Sequence, residues 1–188
     1  MAAPNQIPTF KVVLIGPARS GKTSLVNLLQ TGRFTRGYEP TIGVAVHPVS
    51  FMTNHGEIRF DVWDCAGNPE FAGLGVGNYM GADAAIVLYS LTDDDYYQTV
   101  SQFHSSFRRI RPNVQTVIVG NKSDLALPEH HGIPDVQYYE ISVYRRQHLE
   151  LPFLYLARHL TNHLDLEFIA RPPIAPPVVR FDQRAGAL

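Results

Sequence analysis

Apolar and polar positions along this chain sort into short apolar runs and longer stretches with helical spacing. Lys11–Ile15, Ala84–Ser90 and Thr116–Gly120 are nearly continuous apolar runs bounded by turn residues, the pattern of strands buried on both faces of a sheet. Val44–Met52 and Glu57–Trp63 flank Asn54-His55-Gly56, a turn signal that predicts an antiparallel hairpin. Gln137–Ile141 adds a sixth strand. Helical spacing covers Thr23–Thr31, ended by Gly32, then Tyr96–Ile110, then about Pro152 to His163. The carboxylates of Asp93-Asp94-Asp95 are expected to cap the second helix. This alternation predicts an α/β fold with a six-stranded, mainly parallel sheet covered by helices on both faces. Arg171-Pro172-Pro173-Ile174-Ala175-Pro176-Pro177 cannot continue a helix, so 1–170 reads as the domain and 171–188 as an extended proline-rich tail.

Candidate chemistry begins where the first strand meets the first helix, at Gly16-Pro17-Ala18-Arg19-Ser20-Gly21-Lys22-Thr23. This is the G-x-x-x-x-G-K-[ST] phosphate loop, whose fixed glycines let successive N–H groups converge on phosphate oxygens at a helix N-terminus. Lys22 supplies a point charge for the outer phosphates, and Thr23 offers a hydroxyl to Mg²⁺, which takes oxygen ligands. A glycine turn that binds nothing is the alternative, and the full pattern in this setting weighs against it. Asp64-Cys65-Ala66-Gly67 ends another predicted strand, where a carboxylate can hold the Mg²⁺ shell and a glycine N–H can sense the terminal phosphate. In Asn121-Lys122-Ser123-Asp124 the Asp can accept two hydrogen bonds from guanine that adenine does not offer, selecting GTP. Alone, that motif reads equally as a polar turn. Three motifs in order, each at a strand's carboxyl end, argue against coincidence.

Composition narrows the picture further. With 188 residues, 45% hydrophobic, the chain has core enough for one α/β unit. Its 16 basic and 17 acidic residues leave no electrostatic footprint for nucleic acid or an anionic membrane surface. The single cysteine, Cys65, excludes an intramolecular disulfide and reads as a small packing residue; a reducing compartment fits best. His159 and His163 lie four apart on the last predicted helix without an evident third ligand, so they read as ordinary helix histidines. No apolar run approaches a membrane span, Met1-Ala2-Ala3-Pro4-Asn5 lacks a signal pattern, and Ala185-Gly186-Ala187-Leu188 has no prenylation cysteine. A soluble, unanchored chain is expected.

The sequence resembles the Ras-type small GTPases and, within them, the Ran type, over nearly its whole length. Phe10-Lys11-Val12-Val13-Leu14-Ile15-Gly16, Gly43-Val44-Ala45-Val46-His47-Pro48, Val62-Trp63-Asp64-Cys65-Ala66-Gly67, Gly120-Asn121-Lys122-Ser123-Asp124, Gln137-Tyr138-Tyr139-Glu140-Ile141-Ser142 and Pro152-Phe153-Leu154-Tyr155-Leu156-Ala157-Arg158 carry the resemblance. Leu166-Glu167-Phe168-Ile169-Ala170 followed by Ile174-Ala175-Pro176-Pro177 looks like the start of a Ran-type tail, unlike the lipidated tails of Ras, Rho or Rab proteins.

The resemblance implies a P-loop small-GTPase fold with GTP or GDP and Mg²⁺ as cofactors. Gly16, Ala18, Arg19, Ser20, Gly21, Lys22, Thr23 and Ser24 would surround the phosphates. Tyr38-Glu39-Pro40-Thr41 matches switch I, with Thr41 joining Thr23 and Asp64 around Mg²⁺. Phe34 and the stem of Lys122 would cover opposite faces of the guanine, while Asn121, Asp124, Ser142 and the Val143 backbone complete the base site. Switch II would run from Asp64 to about Met80, and loss of the terminal phosphate would release Thr41 and Gly67. Lys22, Thr41 and the residue at Asn68 would be catalytic. Implied partners are nuclear transport receptors of the importin-beta type, Ran-binding proteins, an exchange factor and an activating protein, met by a monomer in nucleus and cytoplasm.

Departures from the family pattern alter this expectation. Asn68 stands where the family carries the glutamine that orients attacking water, shortening the reach by about 1.5 Å, one carbon–carbon bond. A misplacement of about 1 Å can cost roughly 100-fold in a positioning-driven reaction, so slow hydrolysis is expected. Ala18 and Arg19 replace two glycines and add bulk beside the reacting phosphate. Arg19 either folds back as an internal arginine finger or reaches solvent or a partner, and loop geometry favours the latter. Leu125–Asp135 is shorter than its Ran-type counterpart and lacks the basic patch, for which His130 and His131 are a weak substitute. The chain also ends without the family's C-terminal helix and acidic terminus, which truncation would explain although it cannot explain the shortened loop. Taken together, the two losses imply a balance shifted toward the GTP-like state. Pro69-Glu70-Phe71 keeps an aromatic anchor but puts an acid where the Ran type carries a lysine. Two readings follow: a slowly hydrolysing switch, or a non-hydrolysing GTP-bound decoy that occupies the partners of the Ran type.

Overall fold

The structure, a computed structural model, describes residues 7–34, 37–68, 75–125 and 133–169. Six strands form one sheet: β1 (Thr9–Ile15), β2 (Val44–Thr53), β3 (Gly56–Cys65), β4 (Ala84–Ser90), β5 (Gln115–Asn121) and β6 (Gln137–Glu140). Their spatial order is β2-β3-β1-β4-β5-β6, antiparallel at β2–β3 and parallel everywhere else. Helices α1 (Lys22–Thr31), α2 (Tyr96–Ile110) and α3 (Leu151–Thr161) cover it. The α/β fold is therefore the one that the apolar runs predict.

Alternation along the strands builds two cores. Val12 and Leu14 of β1 face one way, packing with Leu25 and Val26 of α1 and Phe153 and Leu156 of α3. Val13 and Ile15 face the other way, with Val100 and Phe107 of α2. Every residue of β4 is buried, because the central strand has a helix layer on each side. β1 lies between β3 and β4, and the chain passes from β3 over β1 to β4, so the sheet's order reverses at β1 and a crevice opens beyond its carboxyl end.

Boundaries shift from those predicted for identifiable reasons. β3 runs on through Asp64 and Cys65, paired with Ala45 and Val44, so the motif there starts inside the strand. Gly32 ends α1 as expected, in the left-handed conformation with its N–H bonded to Leu28 O at 2.8 Å. α3 stops at Thr161, short of His163, because Asn162 takes the same left-handed cap conformation. Asp95 occupies the N-cap position of α2, but its side chain makes no cap hydrogen bond. Its φ of −95° and ψ of 26° lie outside the extended region from which a cap side chain reaches the first turn, which corrects the capping expectation.

Beyond α3 the chain folds back on the hairpin. Leu166 is fully buried, Phe168 stacks on Phe51 with centroids 4.2 Å apart, and Ile169 N–H donates to Met52 O at 2.9 Å. The proline-rich tail at 171–188, the anchor Phe71 with Pro69 and Glu70, and His130 and His131 lie outside the described residues. Among the described residues no helix is long and apolar enough to cross a membrane.

Candidate functional site

The loop between β1 and α1 curls because two glycines permit it. Gly16 and Gly21 have φ of 141° and 101°, and a Cβ at Gly16 would land on the Leu88 carbonyl oxygen. Lys22 folds under this loop and donates from Nζ to Gly16 O at 2.9 Å and Pro17 O at 2.8 Å. Burial pushes its ammonium down to about 8, against the opposing pull of Asp64.

Three oxygen-bearing side chains from distant segments meet next to Lys22. Thr23 Oγ1 donates to Asp64 Oδ2 at 2.6 Å and lies 2.9 Å from Thr41 Oγ1. Asp64 is fully buried, and burial lifts its carboxyl above the ordinary range against the hydrogen bond from Thr23 and the charge of Lys22. No hydrogen-bond partner among the described residues reaches its buried Oδ1. An orphaned carboxylate oxygen beside two adjoining hydroxyls is a hard-oxygen donor set, and it fits Mg²⁺.

A cleft of about 880 Å³ opens above this group. Ala18, Arg19, Gly21, Lys22, Thr23, Ser24, Phe34, Tyr38, Thr41, Gly67, Asn68, Asn121, Lys122, Asp124 and Val143 line it. The other predicted residues support it from behind. Ser20 is buried and its carbonyl accepts Asn121 Nδ2 at 2.8 Å; Ser142, also buried, donates to Asp124 Oδ1 at 2.5 Å. Asn121 Oδ1 in turn accepts the Val143 N–H at 3.1 Å. Gly16 and Asp64 complete this supporting set. Gly67 packs so closely on the phosphate loop that a Cβ there would sit 2.5 Å from Ala18 N.

Arg19 neither folds inward nor points freely to solvent: its guanidinium lies 5.2 Å from the centre of the Tyr38 ring. The contact joins the phosphate loop to the 37–43 segment across the cleft. Arg19 holds a φ of 62°, a left-handed conformation more usual for glycine. Tyr144 also lines the cleft and meets Phe34 edge-on at 5.7 Å, a partnership that sequence reasoning missed. The available signal was an aromatic residue directly after Ser142-Val143.

Cys65 is buried among apolar side chains, with its thiol pushed up to about 12, which suits packing and not nucleophilic chemistry. His159 and His163 do not form a pair. His159 Nδ1 lies 2.9 Å from Tyr155 O, whereas His163 lies beyond the helix end and stacks on His55.

Compared with known protein families, the chain matches the family model described as Ras family over residues 11–162.

Proposed function

From the premise that this chain belongs to the Ras family, a family of GTP-binding switches, we propose that it is a Ran-type switch with slow GTP hydrolysis. In its GTP state it engages nuclear transport receptors of the importin-beta type and Ran-binding proteins, as a monomer of nucleus and cytoplasm. The observation that carries the reading is the meeting of Thr41 with Thr23 and Asp64, since it ties switch I to the phosphate and metal end of the cleft. Support for the Ran type comes from the tail-start motif, which buried Leu166 and the stacking of Phe168 on Phe51 dock against the hairpin as part of the domain.

In this reading Thr23 and Thr41 with Asp64 hold Mg²⁺, which when bound neutralises charge on the phosphate oxygens. Lys22 faces the outer phosphates and the Gly67 N–H senses the terminal one. Phe34 and Lys122 cover the base, and Asp124, braced by Ser142, reads guanine. Asn68 positions the attacking water from a side chain one methylene short of the family's glutamine. The second reading, a GTP-bound decoy, is favoured by Asn68 and by the Arg19–Tyr38 contact, which ties switch I to the phosphate loop.

Single-turnover cleavage of GTP preloaded with Mg²⁺, run beside Asn68→Gln, separates the two. The switch reading expects measurable cleavage that the glutamine variant accelerates by roughly 100-fold, the cost of about 1 Å of misplacement. Cleavage only in the variant establishes the decoy. Capture by an importin-beta-type receptor should require GTP loading; equal capture of the GDP-loaded protein overturns the switch.

A further inference from the structure

At the end of the sheet opposite the cleft, the β2–β3 turn is clasped to the segment after α3. Asn54 N–H donates to Glu167 O at 3.2 Å, its Nδ2 donates to Asp165 O at 3.0 Å, and its Oδ1 accepts the Glu167 N–H at 2.9 Å. On this braced backbone stand three exposed side chains. His55 Nε2 lies 3.1 Å from Asp165 Oδ2, and the His55 and His163 rings stack at 4.3 Å with planes 12° apart. One ligand atom from each of the three lies within 4.8 Å of the others.

We propose that His55, His163 and Asp165 form a site for a divalent transition-metal ion of the zinc type, separate from the nucleotide's Mg²⁺. Two imidazole nitrogens and a carboxylate oxygen are a donor set that Zn²⁺ accepts, with water completing a tetrahedron. Bonds of about 2.0–2.1 Å to tetrahedral Zn²⁺ set its ligand atoms about 3.3–3.4 Å apart. The His55–Asp165 pair already has nearly that spacing, at 3.1 Å. His163 must close on them, and the stack must splay, because each nitrogen lone pair lies in its ring plane. Asn54 and the Phe51–Phe168 stack hold both backbone segments, so binding orders side chains alone. Mg²⁺, which prefers an all-oxygen shell, is a poor occupant. The bound ion would pin the hairpin to the segment from which residues 170–188 continue, leaving the nucleotide cleft untouched.

The test is a calorimetric Zn²⁺ titration of untagged, GDP-loaded full-length chain in excess Mg²⁺, repeated with His55→Ala, His163→Ala and His159→Ala. The parent should bind one Zn²⁺ at micromolar concentration. His55→Ala and His163→Ala should each weaken binding at least about tenfold, since even outer-shell changes cost 10- to 100-fold. His159→Ala should bind like the parent, and GDP release should be unchanged in all four. All three mutated side chains are exposed or partly so, and the GDP release rate also reports that each variant is folded. Parent-like Zn²⁺ affinity in His163→Ala, or no binding by the parent, overturns the site.

Discussion

Asn121 donates from Nδ2 to the carbonyl of Ser20 at 2.8 Å, across 101 positions of sequence. With Val143 N–H on its Oδ1, the same side chain joins the phosphate loop to the base loop. Asn121→Ala leaves a buried carbonyl and a buried N–H unpaired, at about 1–3 kcal/mol each. Urea unfolding should show a loss of at least about 1 kcal/mol, and release of a fluorescent GDP should quicken at least tenfold. Unchanged release would mean that the two loops hold their positions independently.

Arg19 over Tyr38 is an exposed cation–π contact, worth about 0.5–1 kcal/mol. Arg19→Ala should therefore speed GDP release by about two- to fivefold. Tyr38→Ala should do the same, and the double variant should add little to either. Additive effects would show that the two side chains act separately.

Gly67 leaves no room for a methyl group: a Cβ would meet Ala18 N at 2.5 Å and Lys22 Nζ at 2.7 Å. Because backbone cannot yield as a flexible side chain does, Gly67→Ala should drive switch II off the phosphate loop. Competition binding should show GTP affinity falling at least about tenfold more than GDP affinity, a differential of about 1.4 kcal/mol. Equal loss for both nucleotides would sink the assignment of Gly67 to the terminal phosphate.

Tyr79 packs edge-on against Phe107 at 5.5 Å, and burial, with a smaller contribution from Cys65, pushes its phenol up to about 12. Below pH 10 the folded and unfolded chains both keep this proton. Between about 10 and 12 the unfolded chain gives it up first, so stability falls as pH rises through that window. Tyr79→Phe should lose less stability than the parent between pH 9 and pH 11, by at most about 1 kcal/mol. Urea unfolding at the two pH values checks the sign, and equal losses would count against the buried phenol.

Much of this protein was legible in the order of its residues. The all-buried β4 announced itself as an apolar run, and Gly32 marked the end of α1. Gly16 through Thr23 is contiguous, so its chemistry is carried by neighbours whose spacing the backbone itself imposes. Asn121 through Asp124 is likewise contiguous, but alone it reads equally as a polar turn, and its guanine reading rests on the two other motifs beside it.

Partnerships between distant residues were not legible in this way. Arg19 is placed on Tyr38, Tyr144 on Phe34, and His163 on His55 instead of His159. Even Asp95, the right residue type at the right position, forms no cap bond, because its backbone does not take the extended cap conformation. The sequence by itself determined the elements, the phosphate and base motifs and the family they belong to, since these rest on local conformational preference and short-range spacing. Only the tertiary structure decided which side chains meet, because strand register and loop path bring together atoms that no local preference relates.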